Sequence, residues 1–75
     1  MTTLDALDVG EGATVVDVEA GGAMAIRLLE MGFVPGTWVK LLKTAPTGDP
    51  LQLQLRGYHI SLRRAEAARV RVRRS

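Results

Sequence analysis

The sequence predicts a mainly β, small five-stranded barrel with one helix inserted after the first strand. Two observations lead there. Short segments of β-branched and leucine-rich residues recur between turn signals, and several alternate apolar with polar. A single stretch, Ala23 to Met31, is instead built from strong helix formers. Closure into a barrel is preferred over an open sheet because it removes exposed strand edges.

Taken in order, Thr2 to Leu7 reads as one helical turn, with Thr3 as its cap and Leu4 and Leu7 on one face. Gly10-Glu11-Gly12 breaks the chain. Ala13 to Ala20 is the first strand. Val16 and Val18 are expected to face one way, with Asp17 and Glu19 on the other side beside Val15. Gly21-Gly22 ends it, the helix follows, and Gly32 stands where a C-cap glycine belongs. Pro35-Gly36 is a turn with proline at the second position and glycine at the third. Thr37 to Thr44 is the second strand, with Val39 and Leu41 on one face and Trp38, Lys40 and Leu42 on the other. A loop of turn formers leads from Ala45 to Pro50. Leu51 to Arg56 alternates without interruption, and Gly57-Tyr58 is read as the tight turn into His59 to Leu62. A short helical turn over Arg63 to Ala68 precedes a last strand, Arg69 to Val72, with Val70 and Val72 inward.

Seventy-five residues make one domain, residues 1–75, with a small core and little material for a deep cleft. The hydrophobic fraction of 47% is that of a folded chain, not a disordered one. Phe33, Trp38 and Tyr58 are the only aromatics, so the core is aliphatic. There is no cysteine, which removes disulfides, thiolate metal sites and cysteine nucleophiles and fits a reducing compartment. No segment is long and apolar enough to span a bilayer, and the N-terminus lacks a signal-peptide layout. The expected location is the cytoplasm.

Chemistry-bearing clusters are sparse. His59 is the only histidine, and the carboxylates show no cation-loop spacing, so no metal site and no cofactor are expected. Ser61 and His59 share a strand face but lack a third group to orient a base, and no catalytic residue is assigned. The glycine pairs lack the lysine and hydroxyl ending of a phosphate loop.

Charge is unevenly spread. Residues 1–30 hold six acids and one base, whereas residues 31–75 hold nine bases and two acids, with six arginines between Arg63 and Arg74. Arg69, Arg71 and Arg73 on the outer face of the last strand could form a phosphate-contacting stripe. With no stacking aromatic after Tyr58, a solvated edge strand protected by charge is the preferred reading.

The helix carries the sharper clue. On a helical wheel Met24, Leu28 and Met31 fall within about 60° of one another, while Ala25, Leu29 and Ile26 spread over an arc near 100°, 140° and 200°. One side is expected to pack on the barrel, leaving Ile26 and Leu29 for a partner. The competing reading covers both with the barrel or the Leu4/Leu7 turn. Trp38 is read either as an exposed anchor at an interface or as a residue folded down on its neighbours, with packing preferred.

The run Gly21-Gly22 … Arg27-Leu28-Leu29-Glu30-Met31-Gly32-Phe33-Val34-Pro35-Gly36 resembles the helix-and-turn signature of the ferrous-iron transport protein A (FeoA) family. Ala45-Pro46, Gly48-Asp49-Pro50, Gly57, Ile60-Ser61-Leu62-Arg63, Glu66-Ala67 and Val70-Arg71-Val72 follow in matching order. The resemblance runs from Leu4 to Val72. It implies an SH3-like barrel and a cytosolic accessory protein of ferrous-iron uptake. Its implied partner is the FeoB permease, through the cytosolic part that contains its GTPase. It maps Arg27, Leu28, Gly32, Pro35 and Gly36 onto the helix end and turn as architectural positions, with Arg27 expected either to form a salt bridge or to hydrogen-bond to the turn. It transfers no catalytic residue. The C-terminal arginines leave room for placement near a membrane surface. The same domain type occurs behind the DNA-binding domain of metal-dependent repressors; Met1 and the lack of a winged-helix segment favour a stand-alone protein. A nucleic-acid-binding barrel is the other alternative, which the acidic first half opposes. The oligomeric state is left open.

Overall fold

The computed structural model describes residues 1–19 and 21–75. The elements are β1 (Thr2–Thr3), a 3₁₀ turn (Leu4–Ala6), β2 (Gly12–Val18), α1 (Gly22–Glu30), β3 (Trp38–Thr44), β4 (Leu51–Leu55), β5 (Tyr58–Leu62), α2 (Arg64–Ala67) and β6 (Val70–Arg74). All pairings are antiparallel, in the order β1-β6-β2-β3-β4-β5. The mainly β architecture and the helix inserted after the first long strand are as the sequence predicts. The expected strand end at Ala20 lies outside the described residues.

Several local expectations are corrected. The described residues form six strands, because Thr2-Thr3 pairs with Val72 and Arg71 before the 3₁₀ turn begins. The two-residue turn is Arg56-Gly57, not Gly57-Tyr58. Both residues have positive φ, 36° and 85°, and Leu55 faces Tyr58 directly across the hairpin. Val15 is buried rather than on the polar face. The β2–β6 register passes from Val15↔Val72 to Asp17↔Arg71, so Val16 is the extra residue of a bulge. A bulge reverses the side-chain alternation. Ala13 and Val15 therefore point inward before it, and Val18 packs on the core after it. Leu42 is the extra residue of a second bulge, between Leu41↔Leu53 and Lys43↔Gln52. β6 is not an edge strand, since β1 and β2 flank it.

The core is aliphatic apart from Phe33. Leu51, Leu53 and Leu55 from β4, Val39 and Leu41 from β3 and Val70 and Val72 from β6 meet Leu4, Leu28 and Leu62. All are essentially inaccessible to water.

Arg64 ties β5 and α2 back to the chain start. Its Nε donates to Gly48 O at 3.0 Å and its Nη1 to Asp5 O at 2.9 Å, while its backbone N–H donates to Asp49 Oδ1 at 2.9 Å. Hydrogen bonds from a charged donor contribute about 1.5–3 kcal/mol where partly shielded. Arg64→Met keeps the aliphatic stem and the backbone bond, and should lower stability by about 2 kcal/mol. Arg73→Met, at an exposed residue with no ion pair among the described residues, should cost under about 0.5 kcal/mol. Urea denaturation of the two variants checks the difference.

Candidate interaction surface

α1 begins without a side-chain cap, at Gly21 with φ of 117°. Arg69 braces this corner from the residue before β6: its Nη2 donates to Gly21 O at 2.7 Å, and its Nη1 lies 3.7 Å from Met24 Sδ. The C-terminus closes in a Schellman motif. Gly32 N–H donates to Leu29 O at 3.0 Å and Phe33 N–H to Leu28 O at 3.1 Å. Phe33 and Leu28, the hydrophobic pair that accompanies this cap, are both fully buried. The Tyr58 hydroxyl from β5 donates to Met31 O, so the helix end is pinned to the hairpin.

These restraints settle which side of α1 faces out. Ala25 and Leu28 are buried, and Met24 and Met31 pack partly against the core. Ile26 is 60% exposed and Leu29 42%. Of the two readings of the apolar arc, the structure supports the one with an uncovered side. Ile26 and Leu29, three residues apart, form a small apolar patch on that side.

Trp38 stands on another element. Its indole lies over Gly12 of β2, where an added Cβ would sit 2.6 Å from the ring, and it is 48% exposed. It is thus both packed and accessible. The structure places it on the outer side of β2 and β3, not on α1 with Ile26 and Leu29.

Among the residues expected to be architectural, Leu28, Gly32, Pro35 and Gly36 stand at the helix end and turn. Gly32 and Gly36 have φ of 112° and 92°. Gly36 N–H also donates to Val15 O at 2.8 Å, which carries the β2–β3 contact past the strand. Of the two contacts expected of Arg27, the structure shows the salt bridge: its Nη2 faces Glu66 Oε2 of α2 at 3.8 Å. Tyr58, read only as a turn residue, is the position sequence reasoning missed. Its role depends on a carbonyl 27 residues away, which no local pattern shows.

The arginine-rich ending is largely committed to the chain itself. Arg71 Nε is 2.5 Å from Asp17 Oδ1, and Arg74 Nε is 2.9 Å from Glu11 Oε2. The hydrogen bond and the charge of Asp17 hold the Arg71 guanidinium above its ordinary pKa. With Arg64 and Arg69 also bonded to backbone carbonyls, four of the six arginines make contacts within the fold. The N-terminal acids and C-terminal bases thus offset each other across β2 and β6. Uncompensated positive charge shifts to β3, β4, β5 and their ends, where Lys40, Lys43, Arg56 and Arg63 lie and Asp49 is the one acid between Met31 and Arg64.

His59 and Ser61 are exposed on β5. Among the described residues no three His, Cys, Asp or Glu side chains are grouped so as to hold a metal ion. Among the described residues no helix is long and apolar enough to cross a membrane.

The family model for the FeoA domain matches residues 2–74. An Fe(2+) transport protein A/Fe(2+) transporter FeoB fusion protein of Porphyromonas gingivalis is 41% identical over 69 residues, 92% of this chain, and the chain spans only 8% of that protein's length. Among solved structures, an FeoA-like protein from Clostridium acetobutylicum superposes with a TM-score of 0.92 at 32% identity, over 97% of this chain and 85% of that one. An FeoA from Stenotrophomonas maltophilia, solved with zinc and described as a procaryotic SH3 domain protein, gives a TM-score of 0.85 at 38% identity, over 96% of this chain and 89% of that one. A manganese-dependent transcriptional repressor shares the fold alone, with a TM-score of 0.88 at 17% identity and this chain spanning 36% of it. The SH3-like barrel expected from the sequence is therefore the fold, and the chain belongs to the FeoA domain family.

Proposed function

We propose that this chain, acting as one domain over residues 1–75, is a non-enzymatic accessory protein of ferrous-iron uptake. It works by binding an FeoB-type permease at the cytosolic part that contains the GTPase. The observation that carries this reading is the fused relative from Porphyromonas gingivalis, in which a segment 41% identical to this chain shares one polypeptide with an Fe(2+) transporter FeoB. Covalent linkage holds two modules at high mutual concentration, so a fused pair is a natural sign of modules that act on each other. The contact surface in this reading is Ile26 and Leu29 on α1, with Trp38 as a separate, secondary anchor. Binding the permease would also place the chain at the inner face of the membrane.

The test is binding of the purified chain to the permease in nanodiscs, with and without a GTP analogue, by calorimetry. Saturable one-site binding is expected. Leu29→Glu should weaken it at least tenfold, a change of about 1.4 kcal/mol, because a carboxylate would be desolvated in the contact. The same variant should unfold within about 3 °C of the parent, since Leu29 is 42% exposed and lies outside the core cluster. Absence of binding in every nucleotide state sinks the reading.

A further inference from the structure

Among the described residues two strands end the sheet, β1 and β5. β5 pairs only with β4, on one side. The two-residue hairpin makes Leu55↔Tyr58 a hydrogen-bonded pair, and so in alternation are Leu53↔Ile60 and Leu51↔Leu62. The N–H and C=O groups of His59 and Ser61 therefore turn away from β4. No partner takes them among the described residues. At the opposite end of the sheet β1 has only two residues, so β5 is the longer open edge. Edges of this kind are usually blunted by proline, a bulge or a covering element. β5 contains no proline and no bulge.

A groove of about 590 Å³ lies between α1 and the end of β5 with α2, lined by Met24, Arg27, Ser61, Leu62, Arg63 and Glu66. Its lining carries one arginine in excess of its one acid. Glu66 faces Arg27 through Oε2 and accepts the Arg63 N–H through Oε1 at 2.8 Å, so this acid is already engaged. Asp49 at the rim accepts the Arg64 N–H. Arg63 has no ion pair among the described residues.

We propose that the β5 edge is a docking site for an extended segment of a partner protein that carries acidic side chains, added as a further strand along His59 and Ser61. Open backbone donors and acceptors select an extended main chain, and alternate side chains of the added strand reach the groove. Arg63, the arginine outside the Arg27–Glu66 pair, selects the negative charge. The site is distinct from the Ile26/Leu29 patch and stands whether or not that patch binds a permease.

The probe is a fluorescein-labelled octapeptide of alternating valine and glutamate, with a valine–lysine octapeptide as its counterpart. In the free chain the His59 and Ser61 amides should exchange with solvent at least tenfold faster than those of Tyr58, Ile60 and Leu62, which face β4. The acidic peptide should bind in an anisotropy titration and slow exchange at His59 and Ser61 at least tenfold. The lysine peptide should bind at least tenfold more weakly. Ser61→Pro removes one outward N–H without touching the ladder to β4, and should weaken acidic-peptide binding about tenfold. Should that variant fail to fold, R27E/R63E replaces it and should reverse the peptide preference. No acidic-peptide binding at 1 mM probe (a concentration on the order of the weakest affinities of interest) overturns the proposal. So does binding that leaves the His59 and Ser61 amides unchanged while perturbing those of Ile26 and Leu29.

Discussion

Leu28→Ala is expected to destabilise the chain by about 3 kcal/mol, while Leu29→Ala, one residue along, costs well under 1 kcal/mol. Leu28 is fully buried, packs in the core with Phe33, and its carbonyl accepts the Phe33 N–H. Removing a buried leucine side chain loses its transfer free energy and leaves a cavity, together about 2.7–5 kcal/mol in well-packed cores. A domain of this size has a total stability of only about 4–11 kcal/mol, so the variant would sit close to the threshold at 37 °C. Leu29 is 42% exposed and leaves no cavity when truncated. Urea denaturation of both variants checks the contrast. Equal losses would mean that the outer side of α1 is covered in solution, and would remove Leu29 as a contact residue.

That contrast marks where sequence reading succeeded and where it stopped. The helix was legible because Ala23 to Met31 is rich in helix formers and Gly32 follows at the C′ position. Leu51 to Leu55 was legible because its alternation is unbroken. Which side of α1 stays bare was not, because an apolar arc that wide suits either a covered or an open helix; burial around Leu28 decides it. β2 misled because the bulge at Val16 swaps the two faces midway, and nothing in Val15-Val16 marks it. β1 is two residues long and exists only through pairing with Val72 and Arg71, which close the chain at its other end.

The same non-locality explains the charge. A cluster of six arginines reads as a basic surface when each is taken alone. In the fold, Arg71 meets an aspartate 54 residues earlier and Arg74 meets Glu11, so the basic stripe becomes part of the β2–β6 seam. Exposed pairs of this kind contribute little to stability. Their consequence is electrostatic. They leave the positive potential on the β3–β5 side, where the open edge lies, and thin it from the C-terminal strand where a phosphate stripe was considered.

Gly32→Ala should destabilise the chain by about 3 kcal/mol in the parent and by about 2 kcal/mol in a Tyr58→Phe background. Gly32 has φ of 112°, a conformation L side chains rarely adopt, and holding a non-glycine residue there costs about 1–3 kcal/mol. A second cost is steric. An added Cβ would lie 2.5 Å from the Tyr58 hydroxyl, whereas the next ring atom, Cζ, is 3.8 Å away. The hydroxyl must therefore move and release its hydrogen bond to Met31 O, a loss of about 1 kcal/mol. Phenylalanine lacks that oxygen, so in its background only the backbone cost remains. The double-mutant cycle should accordingly show a coupling of about 1 kcal/mol between the two positions, where distant independent sites would add to within about 0.5 kcal/mol. Strict additivity would mean that Tyr58 does not hold the helix end. Coupling of the expected size would identify the Gly32–Tyr58 contact as what fixes α1 against the β5 hairpin. That contact sets the relative placement of the apolar patch on α1 and the open edge of β5, so the permease and peptide titrations repeated on Gly32→Ala would show whether either surface depends on it.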